Sequence, residues 1–453
     1  MPLPHNFSSG LEFQDQEWQV AASVTVPTVR RTRDAATIVW TVCRGNVETM
    51  HRETASQWNE SVHESAAQAA STYARMKGFY SPQSSPGNSP TRSKGKLSPI
   101  RSKHGNSSKG AKRVSVEEAI ETGKRWAAAV ELQSAASVNA QIKKDGSPTQ
   151  TILLAEAWHD GQIVDVAHAI QAKREATKNA PTPLSLVLIA GPSSSGKTTF
   201  CSKLSMHLRC AGIKPETLST DDYFLAREDP RHPRDKDGNL NFETLRAVDV
   251  DKLNADLQKL FTGKPVDTPI FNFVIGAPEP HKTRRKQLAP GGMLIMEGIF
   301  CLNPALTAQV DDASKFNVFI APLSPLTLKD GSSAREDHVR LIRRISRDYL
   351  HRGNSALHTL KKYASVREGE LENIYPFAGE AEVVYNSSLL YEMNVLKRTV
   401  GPLLHAITKA EAGGLYGLAA QMLTFLENFE EVADSAVPNT SVLMEFIGKS
   451  VFE

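Results

Sequence analysis

Residues 186–199 read Leu-Val-Leu-Ile-Ala-Gly-Pro-Ser-Ser-Ser-Gly-Lys-Thr-Thr. The first five, Leu186–Ala190, are apolar and have the length of a buried strand. A turn with glycines at 191 and 196 follows, in the spacing GxxxxGK[ST], and Thr199–Arg209 then reads as a helix. Strand, glycine-rich loop and helix in this order form a P-loop. Its glycines allow backbone N–H groups to turn inward around phosphate oxygens, at a helix amino terminus whose dipole favours anions. The whole loop, Gly191, Pro192, Ser193, Ser194, Ser195, Gly196, Lys197, Thr198 and Thr199, is therefore expected to hold a nucleoside triphosphate. Lys197 is placed for the β- and γ-phosphates, and the Thr198 hydroxyl for Mg2+. No Asn-Lys-x-Asp guanine-reading segment occurs, and ATP is the expected nucleotide.

From Leu184 onward, short apolar runs alternate with helical stretches, the sequence form of an α/β fold with a parallel sheet flanked by helices. Five strands are expected, at Leu186–Ala190, Glu216–Ser219, Met293–Met296, Phe316–Ile320 and Glu382–Tyr385. They make a P-loop mononucleotide-kinase core. Asp221 and Asp222 follow the second strand and Glu297 follows the third. Ligands of such sheets bind at the carboxyl ends of the strands, so these acids are expected to face the triphosphate. A carboxylate there holds magnesium or accepts the proton of an attacking hydroxyl. Asp222 fits equally well as a turn or capping residue.

Arg340, Arg343, Arg344 and Arg347 fall at i, i+3, i+4 and i+7, which puts four guanidinium groups on one helix face, and Arg352 extends the basic run. Fixed arginines stabilise the charge that develops on a transferring phosphoryl group, in the manner of a kinase lid. The competing reading is a solvated face with pairs such as Glu336–Arg340 and Arg344–Asp348. A second basic cluster, His281, Lys282, Arg284, Arg285 and Lys286, reads as a solvated loop.

The rest of the 453 residues sets the context. The chain is 40% hydrophobic and 23% charged with a formal net charge of +3, which gives no global nucleic-acid signature. Cys43, Cys201, Cys210 and Cys301 have no disulfide or zinc spacing. No apolar run reaches membrane-spanning length and the amino terminus reads as neither signal nor transit peptide, so a cytoplasmic protein is expected. Residues 81–115 are basic, rich in Ser and Pro and poor in large apolar side chains, the composition of a disordered linker. The expected organisation is a divergent amino-terminal region over 1–80, with strands at Val20–Val26 and Ala36–Val42 and a helix over Glu48–Met76. The linker over 81–115 comes next. A helical connector over 116–180 follows, with helices at Val116–Ala136 and Ile152–Ala176. The P-loop kinase domain covers 181–410 and a helical carboxy-terminal extension 411–453, in which no residue is assigned chemistry.

Several longer segments resemble the uridine kinase and phosphoribulokinase family, and within it the uridine-kinase-like proteins with an extra amino-terminal region and a carboxy-terminal extension. They are VLIAGPSSSGKTTF, LSTDDYF, DKDGNLNFE, FNF at 271–273, MEGIFCLNP, HVRLIRRISRDYLHRG, SVREGE and the terminal EFIGKS. The resemblance implies that Asp221 is the general base for the acceptor hydroxyl and that Glu297 joins the magnesium site. It implies that Glu243 binds sugar hydroxyls, that Tyr223, Phe273 and Arg340 belong to the acceptor site with Asp221, and that Arg343, Arg347 and Arg352 face phosphate. The chain departs from uridine kinases where they carry Tyr-Asp-Phe followed by a histidine: here Phe271-Asn272-Phe273 is followed by Ile275 and Gly276. The implied activity is transfer of the ATP γ-phosphoryl to a hydroxyl of a small nucleoside-like acceptor. The alternatives are a kinase of another small alcohol such as a sugar phosphate, or a nucleotide-binding regulator. The expected partners are ATP and the acceptor, with no nucleic acid or membrane, and a homo-oligomer is compatible with the sequence.

Overall fold

The computed structural model describes residues 25–32, 35–44, 47–51, 114–236 and 238–452. The chain divides into two units, residues 1–97 and 98–453. In the first, β1 (Thr25–Thr32), β2 (Ala35–Arg44) and β3 (Val47–His51) pair antiparallel in that order. The strand expected at Ala36–Val42 lies within β2. That expected at Val20–Val26 falls largely outside the described residues, as do 52–76 and 81–113. The helix expected from Glu48 does not start there. Val47 and Thr49 are β-branched, and the run 47–51 pairs with β2, Cys43 opposite Glu48.

The second unit opens with α1 (Val116–Ala129), α2 (Ala135–Lys144) and α3 (Thr149–Thr177). The sequence suggested one helix over 116–136, and the structure has two. Glu131 takes a left-handed φ of 60°, and Ser134 and Ser137 form a capping box that starts α2 anew. Along α3 the buried Ile163, Val166, Ala167 and Ile170 make an i, i+3, i+4, i+7 stripe against the sheet.

Five strands make the central sheet: β4 (Leu186–Ala190), β5 (Pro215–Ser219), β10 (Met293–Glu297), β11 (Lys315–Ala321) and β12 (Val383–Asn386). Between β5 and β10 the chain forms α5 and two small ribbons. These are β6 (Val266–Thr268) with β9 (Arg284–Lys286), and the hairpin β7 (Phe271–Asn272) with β8 (Ala277–Pro278). Here α4 is Lys197–Cys210 and α5 is Val250–Phe261. After β11 come α6 (Glu336–Arg352) and α7 (Ala356–Asn373). After β12 come α8 (Glu392–His405), α9 (Lys409–Ala412), α10 (Tyr416–Leu426) and the single turn α11 (Met444–Ile447). No helix among the described residues is long and apolar enough to cross a membrane.

The order across the sheet is β12-β11-β4-β10-β5, with every pair parallel. All five expected strands are present, so the α/β fold with a five-stranded parallel sheet stands as read. Alternation explains the layering. Leu186, Leu188, Leu294 and Met296 enter one core with α5, whereas Val187, Ile189, Met293 and Ile295 enter the other with α3 and α4. Burying each such side chain contributes about 1.5–3 kcal/mol. Register then sets the site: Glu297 lies opposite Ser219 on one side and Ile189 on the other. The ends of β4, β10 and β5 are therefore level.

One glycine is fixed by this crowding. A Cβ on Gly298, directly after β10, would lie 1.7 Å from Thr220 Oγ1 and 2.9 Å from its Cβ. Thr220 is buried and precedes Asp221. Gly298→Ala should therefore destabilise the protein by about 1–3 kcal/mol. Adding Thr220→Ala, which removes the nearest atom, Oγ1, and leaves Cβ, should restore part of that loss; urea unfolding of the single and double variants measures both.

Candidate active site

The loop between β4 and α4 takes its shape from two left-handed residues, Ser194 at φ 62° and Gly196 at φ 90°. Gly191 is pressed against β11, where a Cβ would stand 2.0 Å from the Ile320 carbonyl oxygen. Lys197 is buried, with Nζ donating to the carbonyls of Gly191 and Pro192 at 3.1 and 3.2 Å. Its ammonium thus lies across the mouth of its own loop. The hydroxyls of Ser194 and Ser195 are buried without a partner in the structure, whereas Thr198 is exposed on the first turn of α4. Unpaired donors at a helix amino terminus form a cradle for an anion.

Two carboxylates face this loop from the strand ends. Glu297 closes β10, is buried, and accepts a hydrogen bond of 2.8 Å from Ser219 Oγ. Burial pushes its carboxyl up to about 7, helped by the negative charges of Asp221 and Glu445 and opposed by Lys197 and the Ser219 bond. Asp221 lies in the short turn after β5, and its Oδ1 is buried with no hydrogen-bond partner. Two adjacent carboxylates, one orphaned oxygen and an exposed threonine hydroxyl fit a magnesium ion, which uses one or two protein carboxylates alongside phosphate and water.

The arginines of α6 separate into two roles. Arg340 and Arg343 are buried. Arg340 pairs with Glu370 and Glu336 and donates to the Ser193 carbonyl at 3.3 Å. Arg343 donates to Glu392 at 2.6 Å, to the Ser194 carbonyl at 3.3 Å and to the Ser387 carbonyl at 2.7 Å. Both guanidinium groups are engaged by protein. Arg344, Arg347 and Arg352 lie nearer solvent and share one carboxylate, Asp348, at 3.4, 2.9 and 3.4 Å. Arg344 also donates to Ser193 Oγ at 2.9 Å. Burial and the neighbouring charges of Arg347 and Arg344 bring Arg352 down to about 9, against the pull of Asp348 and Asp221. The ion pairs Glu336–Arg340 and Arg344–Asp348, expected for a merely solvated face, both exist, but both are largely buried.

Around the cleft beyond Asp221, the expected acceptor residues part company. Glu243 is half-buried and packed against Gly369. Burial raises its carboxyl to about 7, with Arg344 opposing and Glu370 and Asp221 adding to the rise. Phe273 is partly exposed beneath Arg352, whose guanidinium lies 4.5 Å from the ring centroid. Tyr223 is buried in the core with its hydroxyl donating to Asp256 at 3.1 Å, so it does not face the cleft. Arg340 is likewise turned into protein. Asp222 accepts from the Phe271 N–H at 3.0 Å and pairs with Arg284 at 3.4 Å, and thereby pins the β7–β8 hairpin.

Sequence reasoning assigned nothing to three acids that the structure places here. Glu370 and Glu392 are the buried partners of Arg340 and Arg343. Glu445, from the carboxy-terminal extension, accepts a 3.2 Å hydrogen bond from Thr199 Oγ1. Glu370 and Glu445 stand within the SVREGE and EFIGKS segments, so the motifs were visible although the contacts were not. The second basic cluster is a ribbon edge, with Lys286 paired to Glu216 at 2.7 Å.

Glu297 ties stability to pH. Its carboxyl titrates near 7 in the folded chain and near 4.5 when unfolded. The stability present below about pH 4.5 is therefore lost as pH rises through 7, by up to about 3 kcal/mol. Glu297→Gln cannot ionise. In chelator and without nucleotide it should melt above the wild type at pH 8, with the difference closing toward pH 5; a pH-independent difference in calorimetric melts would contradict this origin.

Comparison with known proteins agrees with this geometry. Residues 186–389 match the model of the Phosphoribulokinase / Uridine kinase family. Uridine kinase-like protein 5 of Arabidopsis thaliana is 27% identical over 212 residues, which span 46% of this chain and 40% of that protein. The uridine kinase of Brevibacillus brevis is 28% identical over 201 residues, 44% of this chain and 83% of that one. A solved structure of a possible uridine kinase from Bacillus stearothermophilus covers 49% of this chain and all of its own, with 21% identity and a TM-score of 0.32. Residues 186–389, which hold the five-stranded sheet and the P-loop, are thus similar to the phosphoribulokinase / uridine kinase family over somewhat less than half of the chain.

Proposed function

We propose that the chain is an ATP-dependent kinase that transfers the γ-phosphoryl to a hydroxyl of a small nucleoside-like acceptor. The observation that carries this reading is the Asp221 carboxylate, with a buried oxygen that has no partner, at a strand end beside Glu297 and the P-loop lysine. Such an oxygen is costly to bury unless a ligand completes it. In the proposed reaction Asp221 takes the acceptor hydroxyl proton. The oxygen forms a bond to the γ-phosphorus, the bond from that phosphorus to the bridging oxygen breaks, and ADP leaves with the electron pair. Lys197, with the basic groups Arg344, Arg347 and Arg352, balances charge on the transferring oxygens. Thr198 and Glu297 would hold Mg2+, which neutralises phosphate charge. Arg340 and Arg343, engaged by carboxylates and loop carbonyls, position the loop.

One observation favours a different acceptor. Where the resemblance leads one to expect a pyrimidine-reading histidine, Gly276 sits at φ 69° with the Arg227 guanidinium packed where its Cβ would be, and Arg227 donates to the Phe273 carbonyl at 3.2 Å. Asn272 is spent on the turn, accepting from Val274 and Ile275. A small alcohol such as a sugar phosphate is therefore the second reading. A screen of nucleosides and sugar phosphates with labelled ATP separates the two, and ATP hydrolysis alone in every case would favour a nucleotide-binding regulator.

Asp221→Asn keeps the shape of the side chain but takes no proton. It should lower kcat by roughly 10²–10⁴-fold while ATP affinity by calorimetry moves little. Unchanged single-turnover transfer would remove Asp221 from the role of base.

We further propose the division read from the sequence, with 181–410 as the kinase domain, 116–180 as its connector and 411–453 as its extension. The cores of residues 114–452 are supplied from within that span, so a chain lacking residues 1–112 should remain soluble and keep its ATP affinity. Loss of soluble expression on this deletion would refute that independence.

A further inference from the structure

The carboxy-terminal extension, to which the sequence assigned no chemistry, ends against the P-loop. Ser441, Val442, Leu443, Met444 and Phe446 are all buried, so the segment is part of the core rather than a loose tail. Val442 lies so close that a Cβ on Gly196 would stand 2.3 Å from its Cγ2. The Phe446 ring covers Arg343 at 4.9 Å, and the Phe446 carbonyl accepts from Ser346 Oγ at 2.7 Å. At the front of this segment Glu445 accepts from Thr199 Oγ1.

We propose that Glu445 is a positioning residue of the nucleotide site, acting on the phosphate loop through the Thr199 hydroxyl. The inference rests on the reading of residues 191–199 as a nucleotide site. Thr199 stands in the first turn of α4, where N–H groups are free to bind phosphate. A threonine hydroxyl in a helix otherwise donates to the carbonyl three or four residues earlier, here Gly196 or Ser195, both in the loop itself. Such a bond would pull the loop carbonyls toward the helix and distort the cradle. By accepting that proton, Glu445 leaves the loop backbone in the shape that phosphate requires, and Val442 blocks the space into which Gly196 would relax. A preformed loop spends less binding energy on ordering. The arrangement places a negative charge near an anion site, and the proposal is that shape outweighs repulsion.

The experiment uses the full chain and measures ATP·Mg2+ affinity by calorimetry. Glu445→Ala should weaken binding by about tenfold, as expected for loss of one hydrogen bond to a charged acceptor. Glu445→Gln, which retains an acceptor, should return affinity to within about twofold. Thr199→Val removes only the hydroxyl and should lose as much as Glu445→Ala, and the double variant should be no weaker than Thr199→Val alone. Additive losses would show a general packing role and overturn the proposal. Tighter binding in Glu445→Ala or Glu445→Gln would also overturn it, by showing that repulsion dominates. A wild-type chain that binds no nucleotide would overturn the P-loop reading itself, whereas a binding wild type with an unaffected Glu445→Ala would overturn this inference alone.

Discussion

The buried guanidinium of Arg343 ties its own helix to three segments that are far apart in sequence. It binds the Ser194 carbonyl of the P-loop, the Ser387 carbonyl after β12, the Glu392 carboxylate of α8, and lies under the Phe446 ring of the extension. A buried charge is tolerated only when paired and fully hydrogen-bonded, so each of these partners is held to its place by the others. The planar fork of arginine meets all of them at once, which a lysine point charge could not. Arg340 repeats the device one turn earlier, with Glu370 and the Ser193 carbonyl. Two buried ion pairs therefore fix two successive carbonyls of the phosphate loop.

Charge is sorted along the cleft in a way that suits phosphoryl transfer. Acids lie at the strand ends: burial, with the negative charge of Asp221 adding to it, raises Glu297 to about 7. Cations lie on the helix opposite, where among the described residues Arg344, Arg347 and Arg352 share the carboxylate of Asp348, and burial with the charges of Arg347 and Arg344 lowers Arg352 to about 9. Each side carries an excess of its own sign. In the proposed reaction a magnesium-bound triphosphate would present a cation to the acids and anionic oxygens to the arginines, and so relieve both excesses together.

The sheet was legible because its signals are local. Short runs of four or five residues set between helical stretches identified every central strand, and the glycine spacing identified the loop. Asp221 and Glu297 followed from their places at strand ends. The two classes of arginine were not legible, since four residues on one helix face look alike until Glu370 and Glu392 arrive from other elements. Tyr223 was misplaced for the same reason: its neighbour Asp221 faces the cleft, and only Asp256 of α5 shows that the tyrosine turns away. The break between α1 and α2 depended on the left-handed φ of Glu131, which propensity alone does not predict. The role of the extension required a contact between residues 199 and 445, a separation that no short motif encodes.

The two ends of the cleft are built from different kinds of element, and this bears on why chemistry and specificity diverge in the sequence. The donor end rests on strand termini, a P-loop and buried ion pairs, all coupled through one core, where a change at any position disturbs several others. The proposed acceptor end rests largely on β7 and β8, strands of two residues each, joined by a tip that exposes Val274 and Ile275. Asp222 holds this hairpin by a part-buried hydrogen bond to the Phe271 N–H, Phe271 anchors it in the core, and only the ion pair with Arg284 reaches the surface. On the proposed reading, substitutions at the exposed tip would alter what the cleft accepts at little cost to the fold. The loop, the carboxylates and the arginine helix can thus keep a family pattern while Phe271–Gly276 departs from it.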